Sequence, residues 1–135
     1  MPEASHMQIG EVAERTGLSL RTIRYYGEVG LVEPSARSRG GFRLYTEEDV
    51  DRLQLIKRMK PLDFSLEETR ELLAALDRLN DSETGRDERE ALSERLDAFE
   101  AAIVARCQAL QDQLTMAEEF AGRLRAQRNR NNAIT

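Results

Sequence analysis

A repeating row of apolar residues in the last third of the chain limits the folds open to it. The row, called the seam below, advances in steps of three or four residues: Leu92, Leu96, Phe99, Ile103, Cys107, Leu110, Leu114, Ala117, Ala121 and Leu124. This spacing is typical of a coiled-coil helix, and at about 1.5 Å per residue it spans roughly 50 Å. A chain of 135 residues is too small to cover so long a stripe by itself. The seam therefore predicts a pairing with a second copy of the chain.

Two short helical patterns near the N-terminus predict a helix–turn–helix. Gly17 fits the end of the first helix, because glycine adopts a left-handed turn at little cost. Ser19 fits the N-cap of a second helix over about residues 20–26, since its hydroxyl can accept from a free N–H group of the first turn. Leu20 and Ile23 are predicted to face the interior from this second helix.

The segment that begins with the second helix carries a local excess of positive charge. Between Arg21 and Arg43 there are five arginines and only two acidic residues, although the whole chain has a net charge of −5. Arginine offers a rigid fork of donors that suits phosphate oxygens and the paired acceptors of guanine. We therefore predict DNA contacts for Arg21 and Arg43, and further contacts for Arg37 and Arg39 in the segment between them.

The sequence does not decide the roles of Arg24 or of the two adjacent tyrosines on the second helix. Arg24 and Glu28 stand four residues apart, so they could form a surface ion pair instead of serving DNA. Tyr25 and Tyr26 are adjacent and cannot both point outward, so one of them belongs in the core.

The next segments predict a small wing followed by two capped helices. Residues 31–32 are predicted to be extended and residues 42–45 to return as a second strand, which makes a hairpin rather than a full sheet. Thr46 is predicted to cap a helix that Pro61 ends. Ser65 opens a full capping box, and the helix that it begins extends to about residue 79.

The predicted organisation is mainly α, with a DNA-binding domain followed by a long helix. We predict a flexible leader over residues 1–7, a domain over 8–79, a linker over 80–87, a helix over 88–127 and a disordered tail over 128–135. His6, the single histidine, lies in the leader and is interpreted as a disordered terminal residue.

Several function classes are disfavoured by what the sequence lacks. No apolar run is long enough to span a membrane and no signal pattern is present, so we expect a cytoplasmic protein without a membrane partner. Cys107 is the single cysteine, which excludes an internal disulfide and cannot by itself form a zinc site. No nucleophile–base pair, phosphate-binding loop or metal-ligand cluster is apparent, so we predict no catalytic residue, no metal and no cofactor.

An ordered set of motifs resembles the MerR family of bacterial regulators. The resemblance covers about residues 8–79, and the long last helix matches in kind. The motifs are Ile9-Gly10-Glu11-Val12-Ala13, Thr16-Gly17-Leu18, Thr22-Ile23-Arg24-Tyr25-Tyr26, Gly30-Leu31-Val32, Arg43-Leu44-Tyr45, Asp49-Val50 with Leu53 and Ile56, and Phe64-Ser65-Leu66-Glu67-Glu68.

The resemblance implies a fold, a mode of assembly and a function. It implies a winged helix–turn–helix with a second, helical wing, and a homodimer joined by an antiparallel coiled coil of the last helices. Such regulators bind near-palindromic promoter operators in double-stranded DNA, distort the DNA and act on RNA polymerase. Carried onto this chain, the implied DNA-binding residues are Arg21, Thr22, Arg24 and Tyr25 on the second helix, Arg37, Arg43 and Tyr45 on the first wing, and Arg58 or Lys60 on the second.

Two departures from the family pattern concern single positions. Gly27 stands where an acidic residue is common, and Asp63 stands where glycine is usual. Aspartate tolerates the left-handed backbone that glycine would adopt there, but its negative charge near the second wing is expected to weaken a phosphate contact. A lone cysteine also differs from the cysteine-rich metal- and redox-responsive relatives. We interpret Cys107 as a small apolar seam residue, or as a thiol that meets its copy near the two-fold axis.

A second hypothesis comes from a different class of function. The chain could be a coiled-coil interaction module whose helical head binds a polymerase component or another protein. Steep salt dependence of binding to DNA would favour the regulator, and a salt-insensitive protein complex would favour the module.

Overall fold

The helix–turn–helix forms where the local signals predict it. In a computed structural model that describes residues 6–134, helix α1 spans Ile9–Thr16 and helix α2 spans Leu20–Glu28. Gly17 ends α1 with a φ of 73°, in the left-handed region where glycine is favoured. The Ser19 hydroxyl accepts a hydrogen bond from the Thr22 backbone N–H at 3.0 Å and so caps α2.

Helix α2 differs from the prediction in its length and in one core residue. It passes through Gly27 and continues two residues beyond the predicted end. Ile23 is buried as predicted, but Leu20 is exposed, and the expectation of an interior role for Leu20 is wrong. Tyr26 is buried in its place and Tyr25 is exposed, which resolves the choice between the two tyrosines.

The wing is part of a three-stranded antiparallel sheet rather than a two-stranded hairpin. Strands β1 (Met7–Gln8), β2 (Ala36–Arg37) and β3 (Arg43–Tyr45) lie in the order β1-β3-β2. Met7 pairs with Tyr45 and Ala36 pairs with Leu44. The predicted leader is therefore wrong at Met7, whose apolar side chain is buried in the core. His6 is exposed outside the strand, and residues 1–5 lie outside the described residues.

The predicted extended piece at residues 31–32 is instead a buried bend. The backbone N–H groups of Leu31 and Val32 both donate to the Tyr26 carbonyl oxygen, at 2.9 and 3.2 Å. They thus satisfy a carbonyl group at the end of α2, a use that competes with pairing in a sheet. The strand of the wing begins later, at Ala36.

Two helices with formed capping boxes follow the sheet. Helix α3 spans Glu47–Met59 behind Thr46, and helix α4 spans Leu66–Asn80 behind Ser65. Between them Lys60–Leu62 forms a 3-10 turn that contains Pro61, and Asp63 has a φ of 62°. The predicted caps and the stop at Pro61 are confirmed, and Asp63 adopts the left-handed backbone that aspartate tolerates.

These elements share one apolar core. Its buried members come from β1, α1, α2, the bend, β3, α3 and α4: Met7, Val12, Ile23, Tyr26, Leu31, Val32, Tyr45, Val50, Leu53, Ile56 and Leu73. The core thus fixes the helix–turn–helix against the sheet and against α3 and α4. This packing determines which faces of α2 and the wing remain open to solvent.

The connection between α4 and the last helix is shorter and more ordered than the predicted linker. Only residues 81–85 lie between α4 and helix α5, which spans Arg86–Ile134. Thr84 is buried, and its hydroxyl donates to the Arg78 carbonyl oxygen at 2.5 Å. The Arg89 guanidinium donates to the carbonyl oxygens of Leu79, Asp81 and Thr84 at 2.6, 2.7 and 3.1 Å.

Helix α5 extends beyond both predicted bounds. The predicted disordered tail is helical from residue 128 to residue 134, and Thr135 lies outside the described residues. No proline or glycine follows Gly122 to stop the helix. The chain divides into two units after Leu92, so the first unit extends past the predicted domain end at residue 79. Within residues 6–134, no helix has the length and apolar character needed to cross a membrane.

Candidate nucleic-acid interface

Helix α2 presents three of its predicted contact residues to solvent. Arg21, Arg24 and Tyr25 are exposed on the side opposite the buried Ile23 and Tyr26. Thr22 is half-buried, and its hydroxyl lies 2.8 Å from the Ser19 hydroxyl, so it helps to close the first turn. The exposed side of α2 can therefore offer two guanidinium groups and a phenol to a ligand.

The alternative use of Arg24 as a surface ion pair is not realised. No ion pair within 4 Å joins Arg24 to Glu28 in the part of the chain that the structure describes. Both guanidinium groups of α2, those of Arg21 and Arg24, are in the same way without an acidic partner there. A surface guanidinium without a carboxylate beside it keeps its N–H donors available to an incoming phosphate.

The first wing holds two more arginines side by side. Arg37 on β2 and Arg43 on β3 are directly paired in the antiparallel register. Arg37 Nη1 donates to the Gly41 carbonyl oxygen at 3.1 Å, and Gly41 takes a φ of 82° to form the tip. Arg43 is half-buried, and its Nη1 is buried without a hydrogen-bond partner. Leaving such a buried nitrogen unpaired costs about 1–3 kcal/mol.

Three arginines from different elements converge on one cleft. Arg24 of α2, Arg37 of β2 and Arg43 of β3 line a cavity of about 220 Å³, together with the exposed ring of Phe42. Neighbouring like charges repel each other unless an anion lies between them. The cleft is therefore suited to a phosphate group, with Phe42 available to pack against a sugar.

Phe42 is a candidate contact that sequence reasoning missed. It follows the glycine-rich tip and precedes Arg43, and its ring is exposed although it is large and apolar. The signal was available, because an aromatic residue interleaved with arginines beside a flexible tip is a common nucleic-acid pattern.

Tyr45 does not belong to the interface, and its assignment to the DNA surface is corrected here. Its side chain is 0% exposed and lies in the core. The Tyr45 ring therefore packs in the apolar core and is not available to DNA. Its hydroxyl is buried and has no hydrogen-bond partner.

Helices α3 and α4, together with the 3-10 turn between them, occupy the place of the second wing and are called so below; they contribute two exposed cations. Arg58 lies in the last turn of α3, and Lys60 begins the 3-10 turn that follows. Lys60 lines a cavity together with Arg21 of α2, whereas Arg58 does not. The predicted contact residues on α2 and on the second wing are thus brought together through Lys60.

The seam residues differ in their exposure within a single chain. Leu92 is buried against its own chain, so its assignment to the dimer interface is corrected to a packing role in the first unit. Leu96, Phe99 and Ile103 are half-buried, and Cys107 is exposed. Leu110, Leu114 and Leu124 are 44%, 53% and 54% exposed.

Comparison with family models identifies the fold and its general activity. The model described as "MerR HTH family regulatory protein" matches residues 7–76, and the one described as "MerR, DNA binding" matches residues 50–117. The chain belongs to the MerR family. MerR-family members of this kind are DNA-binding transcriptional regulators rather than enzymes, and the exposed cations of α2 and the wing are consistent with that activity.

Individual relatives support the assignment. The chain is similar to the HTH-type transcriptional regulator ZntR of Escherichia coli K12, with 41% identity over 79% of this chain and 74% of that protein. It is also similar to the mercuric resistance operon regulatory protein of Bacillus cereus, with 45% identity over 53% of this chain. The match covers 54% of the latter, so the chain spans about half the length of that relative.

A solved structure has the same fold. HiNmlR, a MerR family regulator lacking the sensor domain and bound to promoter DNA, superimposes with a TM-score of 0.68. The match covers 85% of this chain and 80% of that chain, at 23% identity. Within residues 6–134, no three or more histidine, cysteine or acidic side chains are grouped so that they could hold a metal ion.

Proposed function

We propose that this MerR-family protein binds a near-palindromic promoter operator as a homodimer and distorts the DNA between the two half-sites. In this proposal α2 enters the major groove and the two wings contact the flanking phosphates. The residues assigned to these contacts are Arg21, Thr22, Arg24, Tyr25, Arg37, Arg43, Arg58 and Lys60. The observation that carries the proposal is the convergence of Arg24, Arg37 and Arg43 on one cleft, where none of them forms an ion pair with an acidic residue between positions 6 and 134.

The exposed seam of α5 supports the homodimer. Leu110, Leu114 and Leu124 are each about half exposed in the single chain, at positions with coiled-coil spacing. Burying a leucine side chain contributes about 1.5–3 kcal/mol relative to leaving it exposed. An antiparallel pairing of two α5 helices would cover these residues. It would also determine whether the exposed thiol of Cys107 becomes buried.

The distortion follows from having two linked heads on one duplex. Bending a site of 20–30 base pairs costs about 1–6 kcal/mol, and the basic contacts of two heads can offset that cost. We further propose that the distorted promoter is presented to RNA polymerase. Family membership favours this regulator over a module that binds only proteins.

Operator binding is tested with fragments selected from genomic DNA by the purified protein. Once an operator is found, a gel-shift titration compares Arg43→Ala with Arg86→Ala, since Arg86 is an exposed arginine outside the proposed interface. We expect Arg43→Ala to weaken binding by about 1–3 kcal/mol and to lower the salt dependence. If both variants bound the operator with equal affinity, the assignment of the first wing to the DNA interface would be refuted.

The homodimer is tested by sedimentation velocity across a range of protein concentrations. We expect a dimer, and we expect Leu114→Lys to shift the population toward the monomer because it places a charge in the seam. A folded wild-type monomer at all working concentrations would refute the dimer and, with it, the two-headed mode of binding.

A further inference from the structure

A second cavity lies on the side of α2 that faces the second wing. Its volume is about 410 Å³, within the range of small-molecule sites. Residues of α2, the bend, α3, the 3-10 turn and α4 contribute to its lining. The apolar part of that lining consists of Tyr26, Leu31, Ile56, Phe64 and Leu66. This surface is suited to the flat apolar body of an organic molecule.

Tyr26 supplies an unused polar group to this cavity. Its side chain is 6% exposed, yet its hydroxyl forms no hydrogen bond to any residue between 6 and 134. The ring of Tyr25 lies beside it, with 5.8 Å between the ring centroids. Burial raises the pKa of Tyr26, and Tyr25 raises it further, so the hydroxyl keeps its proton near neutral pH. It can therefore donate to an acceptor in the cavity.

Two cations stand at the margin of the same cavity. Arg21 of α2 and Lys60 of the 3-10 turn both line it. Neither side chain has an acidic partner within 4 Å in the described part of the chain. Charge-assisted hydrogen bonds from such groups to an anion are about twice as strong as neutral ones. The margin therefore favours an anionic group over a neutral one.

We propose that this cavity binds an organic anion with a flat apolar body, of the aromatic carboxylate class, and that its occupation lowers the affinity for DNA. A free phosphate would use Arg21 and Lys60 but would leave the apolar lining uncovered. An aromatic carboxylate matches both parts, because its ring can lie on Phe64 and Leu66 while its carboxylate meets the cations.

The effect on DNA follows from shared residues, and this half of the inference rests on the proposed function. Arg21 and Lys60 are among the residues assigned to DNA contact. An anion held between them occupies their donors and adds a negative charge where a phosphate would approach. The ligand and the operator therefore compete for the same two side chains.

Binding is tested without DNA, by titrating the ¹⁵N-labelled full chain with 2-naphthoate and recording amide spectra. We expect saturable shifts that centre on Tyr25, Tyr26 and Phe64, with a dissociation constant of about 1 mM or tighter for a fragment of this size. The neutral molecule 2-naphthalenemethanol is the matched ligand, and we expect it to bind about tenfold more weakly. Absence of saturable shifts, or shifts confined to α5, would refute the site.

Variants assign the binding to the named side chains. We expect Lys60→Gln and Arg21→Gln each to raise the dissociation constant for 2-naphthoate about tenfold, while Arg86→Gln leaves it unchanged. Tyr26→Phe removes only the hydroxyl and is expected to raise it severalfold. The amide spectrum of each variant shows directly whether it is folded. Unchanged binding in all three cavity variants would overturn the assignment.

The regulatory half is tested with a fixed concentration of operator DNA. We expect saturating 2-naphthoate to raise the apparent dissociation constant for DNA at least about tenfold, the ratio expected for competition at ten times the ligand dissociation constant. Ligand binding with unchanged DNA affinity would refute the competition. A protein that binds 2-naphthoate but no DNA would contradict the proposed function instead, and would leave the ligand site supported.

Discussion

Replacing Tyr45 by phenylalanine should stabilise the protein, which is the opposite of the usual result of deleting a buried polar group. The Tyr45 side chain is 0% exposed, and its hydroxyl has no hydrogen-bond partner. A buried polar group left unpaired costs about 1–3 kcal/mol. The variant keeps the ring and removes only that hydroxyl.

The void left behind is too small to reverse the gain. It amounts to one oxygen atom, on the order of 10 Å³, and at about 24 cal/mol per Å³ it costs roughly 0.2 kcal/mol. We therefore expect Tyr45→Phe to raise the free energy of unfolding by about 1–2 kcal/mol. The affinity for DNA should not change, because the ring lies in the core and not on the wing surface.

The assay is urea unfolding followed by circular dichroism, at one protein concentration because a dimer makes stability concentration-dependent. Tyr25→Phe is the matched control: Tyr25 is 47% exposed, and its variant should stay within about 0.5 kcal/mol of the wild type. A loss of stability in Tyr45→Phe would show that the hydroxyl has a partner, and the reasoning would fail. A loss of DNA affinity in Tyr45→Phe would instead show that the Tyr45 hydroxyl contributes to DNA binding.

Three further outcomes are expected. Arg89→Ala should lower the free energy of unfolding in urea by about 2–3 kcal/mol, because it removes three hydrogen bonds from a charged group to carbonyl oxygens; a loss below about 0.5 kcal/mol would count against the ordered connection. The hydrogen bond from Arg15 lowers the pKa of Glu47 in the folded protein. The Glu47 carboxylate therefore contributes its full stabilisation at pH values above the pKa of the unfolded state, about 4.3. This contribution is lost as the pH falls through the lower pKa of the folded state. Urea titrations below pH 5 should show a smaller loss of stability in Glu47→Gln than in the wild type, and parallel curves would contradict this. Asp63→Gly should raise the melting temperature, because glycine adopts the left-handed φ of 62° without strain. The same change should tighten operator binding, because it removes a negative charge near the DNA, and weaker binding would refute that account.

The helices could be predicted because their start and stop signals are local. Ser19, Thr46 and Ser65 each accept from an N–H group three residues ahead, as the sequence indicates. Such contacts depend on neighbours within one turn and on little else. The end of α5 was missed because the polar residues after Arg128 carry no stop signal of their own.

The strand at Met7–Gln8 could not be predicted, because its pairing with β3 is non-local. Met7 meets Tyr45 across 38 positions, and a two-residue strand has no alternation to detect. The same sheet explains the error at Tyr45. Arg43 and Tyr45 lie two positions apart on one face of β3, so the burial of Tyr45 also draws the Arg43 side chain partly inward. The sequence suggests that Arg43 and Tyr45 both face solvent, but in the sheet Tyr45 is buried and Arg43 is only partly exposed.

The orientation of the helix–turn–helix depends on contacts that no sequence pattern indicates. Lys57 Nζ donates to the Thr16 carbonyl oxygen at 2.7 Å, at the end of α1. Arg70 Nη2 donates to the Val29 carbonyl oxygen at 2.7 Å, just beyond α2. Each bond places a cation at a helix C-terminus, where free carbonyl groups and the helix dipole favour positive charge.

These two hydrogen bonds connect the helix–turn–helix to α3 and α4. Both donors lie on the second wing, Lys57 on α3 and Arg70 on α4, and both acceptors lie where a helix of the helix–turn–helix ends. The acceptors are backbone carbonyl groups, which every residue has, so no sequence pattern indicates them. The donors, Lys57 and Arg70, cannot be distinguished in the sequence from other surface cations. Yet a shift of α4 must move or break the contact at the end of α2. The helix–turn–helix is therefore held to α3 and α4 by these two hydrogen bonds as well as by the core. The ligand proposed above would contact α2, α3 and α4 together.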